Sequence, residues 1–246
     1  MKKRIALILT GTMLMGFVLS ACGDNESTEK KDEKTENSVE TSSNANNRTT
    51  FTVGFDAEYP PYGYMDENGE YTGFDLELAE AVCKLEGWEL VKKPINWDAK
   101  DMELNSGAID CIWNGFTMNG REDEYTFSTP YVDNSQVIVV AENSGINTPE
   151  DLAGKTVGVQ AASAALELLQ SDEKDGQKAL ADTFGALNEF ADYNTAFTEL
   201  QAGALDALAI DIGVANYQIK SRGEGYKILE ELFIKSPIIR INTIFI

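Results

Sequence analysis

From Phe51 onward, short β-branched and aromatic runs alternate with longer stretches whose apolar residues recur at helical spacing. Strands separated by helices need crossover connections, and crossovers build a largely parallel sheet covered on both faces. Phe51–Phe55 reads as a buried strand, followed by the stiff turn Tyr59-Pro60-Pro61-Tyr62-Gly63. Tyr62–Met65 and Glu70–Thr72 flank Asp66-Glu67-Asn68-Gly69, a hairpin signal. Asp75 is placed to cap a helix carrying Leu76, Leu78, Ala79, Val82 and Leu85, which ends at Gly87. A strand at Glu89–Lys93, a helix at Lys100–Asn105 and a strand at Ile109–Trp113 follow, then a long extended segment, Tyr131–Ala141. A second block repeats the pattern. Its strands are Thr156–Gln160, Ala207–Ile210 and Tyr226–Leu229, and its helices Ser163–Leu169, Thr195–Ala202 and Gly213–Ser221. Residues 170–188 fit no element. Two blocks joined by one extended crossing segment predict an α/β fold of two lobes with a ligand cleft between them.

The first 22 residues carry different information. Lys2, Lys3 and Arg4 precede an uncharged, mostly apolar run from Ile5 to Leu19, too short for an ordinary membrane span and typical of an export signal. Leu19-Ser20-Ala21-Cys22 resembles the lipobox of bacterial lipoproteins, which implies cleavage before Cys22 and diacylglyceryl attachment to its thiol, with acyl chains of the palmitate class. The alternative is a plain secretory signal with an incidental cysteine. Residues 23–50 are almost all Asn, Ser, Thr, Glu and Lys, with Val39 the only large aliphatic, so they read as a disordered tether. The expected organisation is 1–22 lipoprotein signal peptide, 23–50 tether, 51–135 lobe 1, 136–233 lobe 2 and 234–246 an atypical tail. The expected location is the cell membrane, lipid-anchored on its extracellular or periplasmic face.

Charge and missing residue types exclude whole classes. With 41 acidic against 20 basic residues the net charge is −21, so the chain lacks the basic footprint of a nucleic-acid binder. It contains no histidine, which removes Ser-His-Asp and Cys-His nucleophiles and the commonest zinc ligand. No cofactor and no metal are expected. Cys83 and Cys111 lack metal-ligand spacing and read as buried free thiols, a disulfide being the alternative in an exported protein.

Seven segments, in order, resemble the bacterial extracellular solute-binding proteins of the amino-acid type, which serve ABC importers. They are Phe55-Asp-Ala-Glu-Tyr-Pro-Pro-Tyr62, Gly73-Phe-Asp-Leu-Glu-Leu-Ala79, Gly107-Ala-Ile-Asp-Cys111, Gly115-Phe-Thr117 with Arg121, Phe127-Ser-Thr-Pro-Tyr131, Asp151-Leu-Ala-Gly-Lys-Thr-Val-Gly-Val-Gln160 and Ala207-Leu-Ala-Ile-Asp211. The resemblance covers about 51–233. It implies a two-lobed periplasmic-binding-protein-like fold with mixed, largely parallel sheets, one lobe inserted into the other. It also implies an amino-acid ligand, an ABC permease as partner and a monomer.

A free amino acid presents one carboxylate and one ammonium group. Arg121 offers the planar fork that grips a carboxylate bidentately, and Asp211, just past a strand of the second block, offers an acceptor for the ammonium group. Ser163 opens a predicted helix, where free N–H groups favour an anion. By resemblance, Gly115 and Thr117 add contacts from lobe 1, Tyr59 and Trp97 enclose the ligand side chain, and Asp56 and Gln160 tune its selection. Each residue has a plainer alternative. Arg121 precedes Glu122, Asp123 and Glu124 and reads as a solvated charge; Asp211 and Ser163 read as helix caps; Trp97 and Tyr59 read as core or rim aromatics.

Two departures from the family stand out. Five residues rather than the common six separate Gly115 from Arg121, so the loop must readjust. Residues 234–246 hold six isoleucines and no acidic residue and look like neither the family's return strand nor a helix, so a prematurely ended or frame-shifted product is expected. The leading function is a membrane-tethered receptor that binds an amino acid and hands it to a permease, without covalent chemistry. The alternatives are an enzyme on the same scaffold, similar to cyclohexadienyl dehydratase and using carboxylates such as Asp56, Glu58 and Asp211, a sensor module, or a non-functional truncated remnant.

Overall fold

The computed structural model describes residues 49–223, 225–229 and 239–242. The expected signal peptide with Cys22, most of the tether, and the tail apart from one short segment lie outside the described residues.

The first lobe starts with β1 (Thr50–Phe55), then β2 (Glu58–Tyr59), β3 (Gly63–Met65) and β4 (Tyr71–Thr72). These are followed by α1 (Phe74–Glu86), β5 (Glu89–Pro94), α2 (Lys100–Asn105), β6 (Cys111–Ile112), β7 (Phe116–Thr117) and β8 (Val132–Asn134). β1 lies between β5 and β6, parallel to both, as crossover helices require. The hairpin reading is met by β3 and β4, and β2 adds a third antiparallel strand. Leu76, Ala79 and Cys83, spaced along one side of α1, pack on Phe51, Val53, Phe55, Cys111 and Trp113. Cys83 and Cys111 are both buried thiols, in line with the thiol reading.

The second lobe comprises β9 (Gln136–Ala141), β10 (Thr156–Gln160), α3 (Ala164–Gln170), α4 (Lys178–Ala181), β11 (Ala186–Phe190), α5 (Tyr193–Ala202), β12 (Ala207–Asp211), α6 (Ile212–Arg222) and β13 (Tyr226–Ile228). Its sheet runs β11-β10-β12-β9-β13, with β10 parallel to β11 and β12, and β9 antiparallel to β12 and β13. Along β9, Val137 and Val139 face one apolar cluster while Ile138 and Val140 face the other. Two buried faces explain why this strand is a continuous apolar run rather than an alternating one.

The structure corrects several sequence expectations. Asp75 does not cap α1: Gly73 holds the cap position, and Asp75 sits buried in the first turn, accepting a hydrogen bond from the Tyr131 hydroxyl at 2.8 Å. The strand expected at Ile109–Trp113 contracts to Cys111–Ile112, and the extended segment Tyr131–Ala141 is two strands, β8 and β9. Residues 170–188, left without an element, contain α4 and the start of β11. The tail contributes a strand after all. β14 (Ile239–Asn242) lies between β7 and β8 and is antiparallel to both.

Candidate functional site

The two lobes meet through aromatic and polar contacts. Tyr59 and Tyr62, from the β2–β3 turn of the first lobe, pack into the second-lobe cluster of Tyr193, Phe197 and Val214. Tyr64 meets Tyr217 with ring centres 5.8 Å apart. Polar contacts also cross the gap, among them Gln160 to Asp56, Asn194 to Glu58, and Arg121 to Glu167.

Between the lobes lies a cavity lined by Tyr59, Trp97, Gly115, Phe116, Thr117, Arg121, Gln160, Ser163, Ala164 and Asp211. Eight of the nine ligand-contact residues read from the sequence therefore converge on one space. Asp56 is the ninth and stands one step behind it, accepting from the Gln160 side-chain amide at 2.7 Å. The cavity volume is ≈ 20 Å³, enough for about one water. A wider cleft of ≈ 470 Å³ adjoins it, sharing Thr117 and Ala164 and lined also by Gly120, Glu167, Leu168 and Ser171.

Arg121 is 4% exposed despite the three acidic residues that follow it, so it is not a solvated charge. The shortened loop turns at Gly120, whose φ of 83° only glycine adopts without strain, and this returns Arg121 to the cavity. Its guanidinium lies 4.6 Å from the centre of the Phe116 ring, a cation–π contact. One amino group donates to the Thr117 carbonyl at 3.5 Å. The other donates to the Ala162 carbonyl at 3.4 Å and to the Glu167 carboxylate, which also accepts from Nε at 3.0 Å.

Asp211 ends β12 on the cavity wall. It occupies the cap position of α6 but makes no side-chain cap bond, so the helix-cap alternative does not describe it. Its Oδ1 instead accepts from Gln136 Nε2 at 2.6 Å and from the Asn134 amide. Burial pushes its carboxyl above the usual range, and these amide donors oppose the shift by favouring the charged form. Ser163 does cap α3, its Oγ accepting from Leu166 N–H at 3.2 Å, while also lining the cavity. Trp97 meets Phe116 edge to face at 5.4 Å. Asp56 is buried and its carboxyl is pushed up to about 6, chiefly by desolvation, against hydrogen bonds from Glu58 N–H and Gln160.

Four participants were missed by sequence reasoning. Phe116 carries the guanidinium, Glu167 pairs with it, and Asn134 and Gln136 hold Asp211. Gln136 left a readable trace: it is a polar residue opening an otherwise apolar strand. Glu167 left none, since a glutamate on a helix is ordinarily solvated.

The sequence profile of the bacterial extracellular solute-binding proteins, family 3, matches residues 51–208. The chain belongs to that family. It is 31% identical to the L-cystine-binding protein TcyJ of Escherichia coli strain K12 over 189 residues, 76% of this chain and 68% of that protein. It is 28% identical to the arginine-binding extracellular protein ArtP of Bacillus subtilis strain 168, over 91% of this chain and 78% of that one. Among solved structures, an ABC uptake transporter substrate binding protein from Streptococcus pneumoniae with bound histidine superposes with a TM-score of 0.73 at 32% identity. That match covers 80% of this chain and 79% of the other. The two-lobed α/β fold and the solute-binding role follow.

Proposed function

We propose that this chain is a membrane-tethered extracellular receptor that binds a free amino acid between its lobes and delivers it to an ABC permease. The observation that carries the reading is the convergence of Arg121 and Asp211 on one interlobe cavity, each held by other side chains of the protein. Arg121 would grip the carboxylate, Asp211 would accept from the ammonium group, and Tyr59 and Trp97 would enclose the side chain. Gly115 and Thr117 would add contacts from the first lobe, and Ser163 and Gln160 from the second. The relatives' ligands, cystine, arginine and histidine, share the α-amino acid group and differ beyond it. Binding proceeds by hinge closure without covalent chemistry, so no turnover of prephenate or arogenate is expected.

The test is thermal unfolding of the full chain, alone and with each of the twenty amino acids or cystine at millimolar concentration. A micromolar binder gains about 4 kcal/mol at a thousandfold excess, a shift of several degrees. A cooperative transition that no amino acid moves would refute the ligand class. The lipid anchor is tested separately by labelling cells with a palmitate analogue, with Cys22→Ala expected to abolish incorporation.

A further inference from the structure

The geometry points to Glu167 as an internal ligand of Arg121, a carboxylate from the second lobe that occupies the guanidinium in the closed state and competes with the carboxylate of an incoming amino acid. The inference rests on the binding reading above. It stands on four observations.

The competitor has the right chemistry and reach. Glu167 Oε1 accepts from both Nε and Nη2 of Arg121, the kind of charge-assisted contact an α-carboxylate would make. The contact spans the lobes, since Arg121 follows β7 and Glu167 lies on α3, so opening the lobes breaks it. Arg121 does not depend on Glu167 for its position. The Phe116 ring at 4.6 Å and the Thr117 carbonyl, both from the first lobe, hold it independently. Finally, the Glu167 side chain is 51% exposed against 4% for Arg121, and Glu167 lines the wider cleft beside the cavity. It can therefore swing into water at little cost when another carboxylate arrives, whereas an unpaired buried Arg121 would pay a desolvation penalty. Glu167 thus gives the unliganded protein a closed form with Arg121 paired, and the ligand's affinity is reduced by the competition.

The experiment compares the full chain with Glu167→Gln and Glu167→Asp by small-angle scattering without ligand and by titration with the twenty amino acids and cystine. Both variants should scatter as more extended particles than the wild type. For whichever amino acid binds, Glu167→Gln should bind about three- to tenfold more tightly, the range for removing a half-exposed charge pair. Unfolding by circular dichroism checks that both variants fold. Weaker binding by Glu167→Gln would show that Glu167 positions Arg121 rather than competing, and would overturn the inference. Identical scattering of wild type and variants would overturn it without any ligand. If no amino acid binds either form, the binding reading fails and the competition with it; the ligand-free scattering distinguishes that failure from absence of the cross-lobe pair.

Discussion

Gly213→Ala should separate closure of the lobes from stability of the fold. Gly213 lies in the first turn of α6, and a Cβ built there would sit 2.3 Å from Tyr62 Oη, 3.0 Å from Cζ and 3.1 Å from Cε2. Moving the hydroxyl alone does not relieve this, because the ring carbons are also too close. The ring is itself hemmed in, 6% exposed and 5.6 Å from Tyr59. Tyr62 belongs to the first lobe and Gly213 to the second, so hinge opening removes the clash by withdrawing Tyr62 from the second-lobe cluster. Overpacking of this kind costs about 1–3 kcal/mol. The ligand-free chain escapes part of that cost by opening and the liganded chain cannot, so ligand affinity weakens by up to about 150-fold. The second lobe itself should not suffer. Alanine is up to about 1 kcal/mol better than glycine inside a helix, so the ligand-free melting temperature should hold or rise by a few degrees. Isothermal titration with the amino acid that stabilises the wild type, together with ligand-free melting, reads both quantities. Unchanged affinity, or a ligand-free melting temperature lowered by several degrees, would refute the argument, since either means the clash is absorbed without opening.

Three further outcomes follow from the same geometry. Arg121→Lys keeps the charge but loses the planar fork and much of the contact with Phe116, so amino-acid affinity should fall about 10- to 100-fold by titration while the chain still melts cooperatively. Burial pushes the Asp75 carboxyl up to about 7 from 3.8, so the folded chain keeps a proton that the unfolded chain releases; this contribution to stability is present below about pH 4 and lost as pH rises to 7. Asp75→Asn should therefore match the wild type in urea unfolding near pH 4 and exceed it above pH 7, by about 4 kcal/mol at the upper limit; an equal advantage at both pH values would refute the assignment. Cys83 and Cys111 should resist a thiol reagent in the native state and react together in denaturant, because both lie in the first-lobe core.

What the sequence could reveal about the fold depended on whether local spacing carried the signal. Helix α2 and strand β10 fall where the sequence placed them, and α3, α5, α6 and β12 lie within two residues, because each buries a stripe or run set by its own residues. Strand β11 was missed because its residues are only half-buried or exposed, Ala186-Leu-Asn-Glu-Phe190 having no apolar alternation to read. Asp75 was mistaken for a cap because an acidic residue near a helix start is usually one; Gly73 takes that position where Gly73-Phe74 passes against the Pro61–Tyr62 backbone, and a Cβ at Gly73 would lie 2.3 Å from the Tyr62 carbonyl oxygen. β14 was missed because its pairing partners, β7 and β8, are over a hundred residues away in sequence, and nothing in Ile239–Asn242 alone announces them.

The site was legible for a different reason. Arg121, Asp211 and the aromatics could be named from ordered segments, but what holds them could not, because those partners are paired across the lobes or across the sheet. The cross-lobe polar contacts share a pattern. Asp56 meets the Gln160 amide, Glu58 meets the Asn194 amide, and Glu167 meets the Arg121 guanidinium. Each places a carboxylate opposite a donor rather than another carboxylate. In a chain of net charge −21, closing two acidic lobes would otherwise bring like charges together out of water. Two of those donors are neutral amides, so they add hydrogen bonds without adding charge, and Arg121 is the one guanidinium among them. On the binding reading proposed above, its charge is the one for which an amino acid's carboxylate and Glu167 would compete, and ligand binding would exchange one carboxylate for another at that point rather than add negative charge to the closed interface.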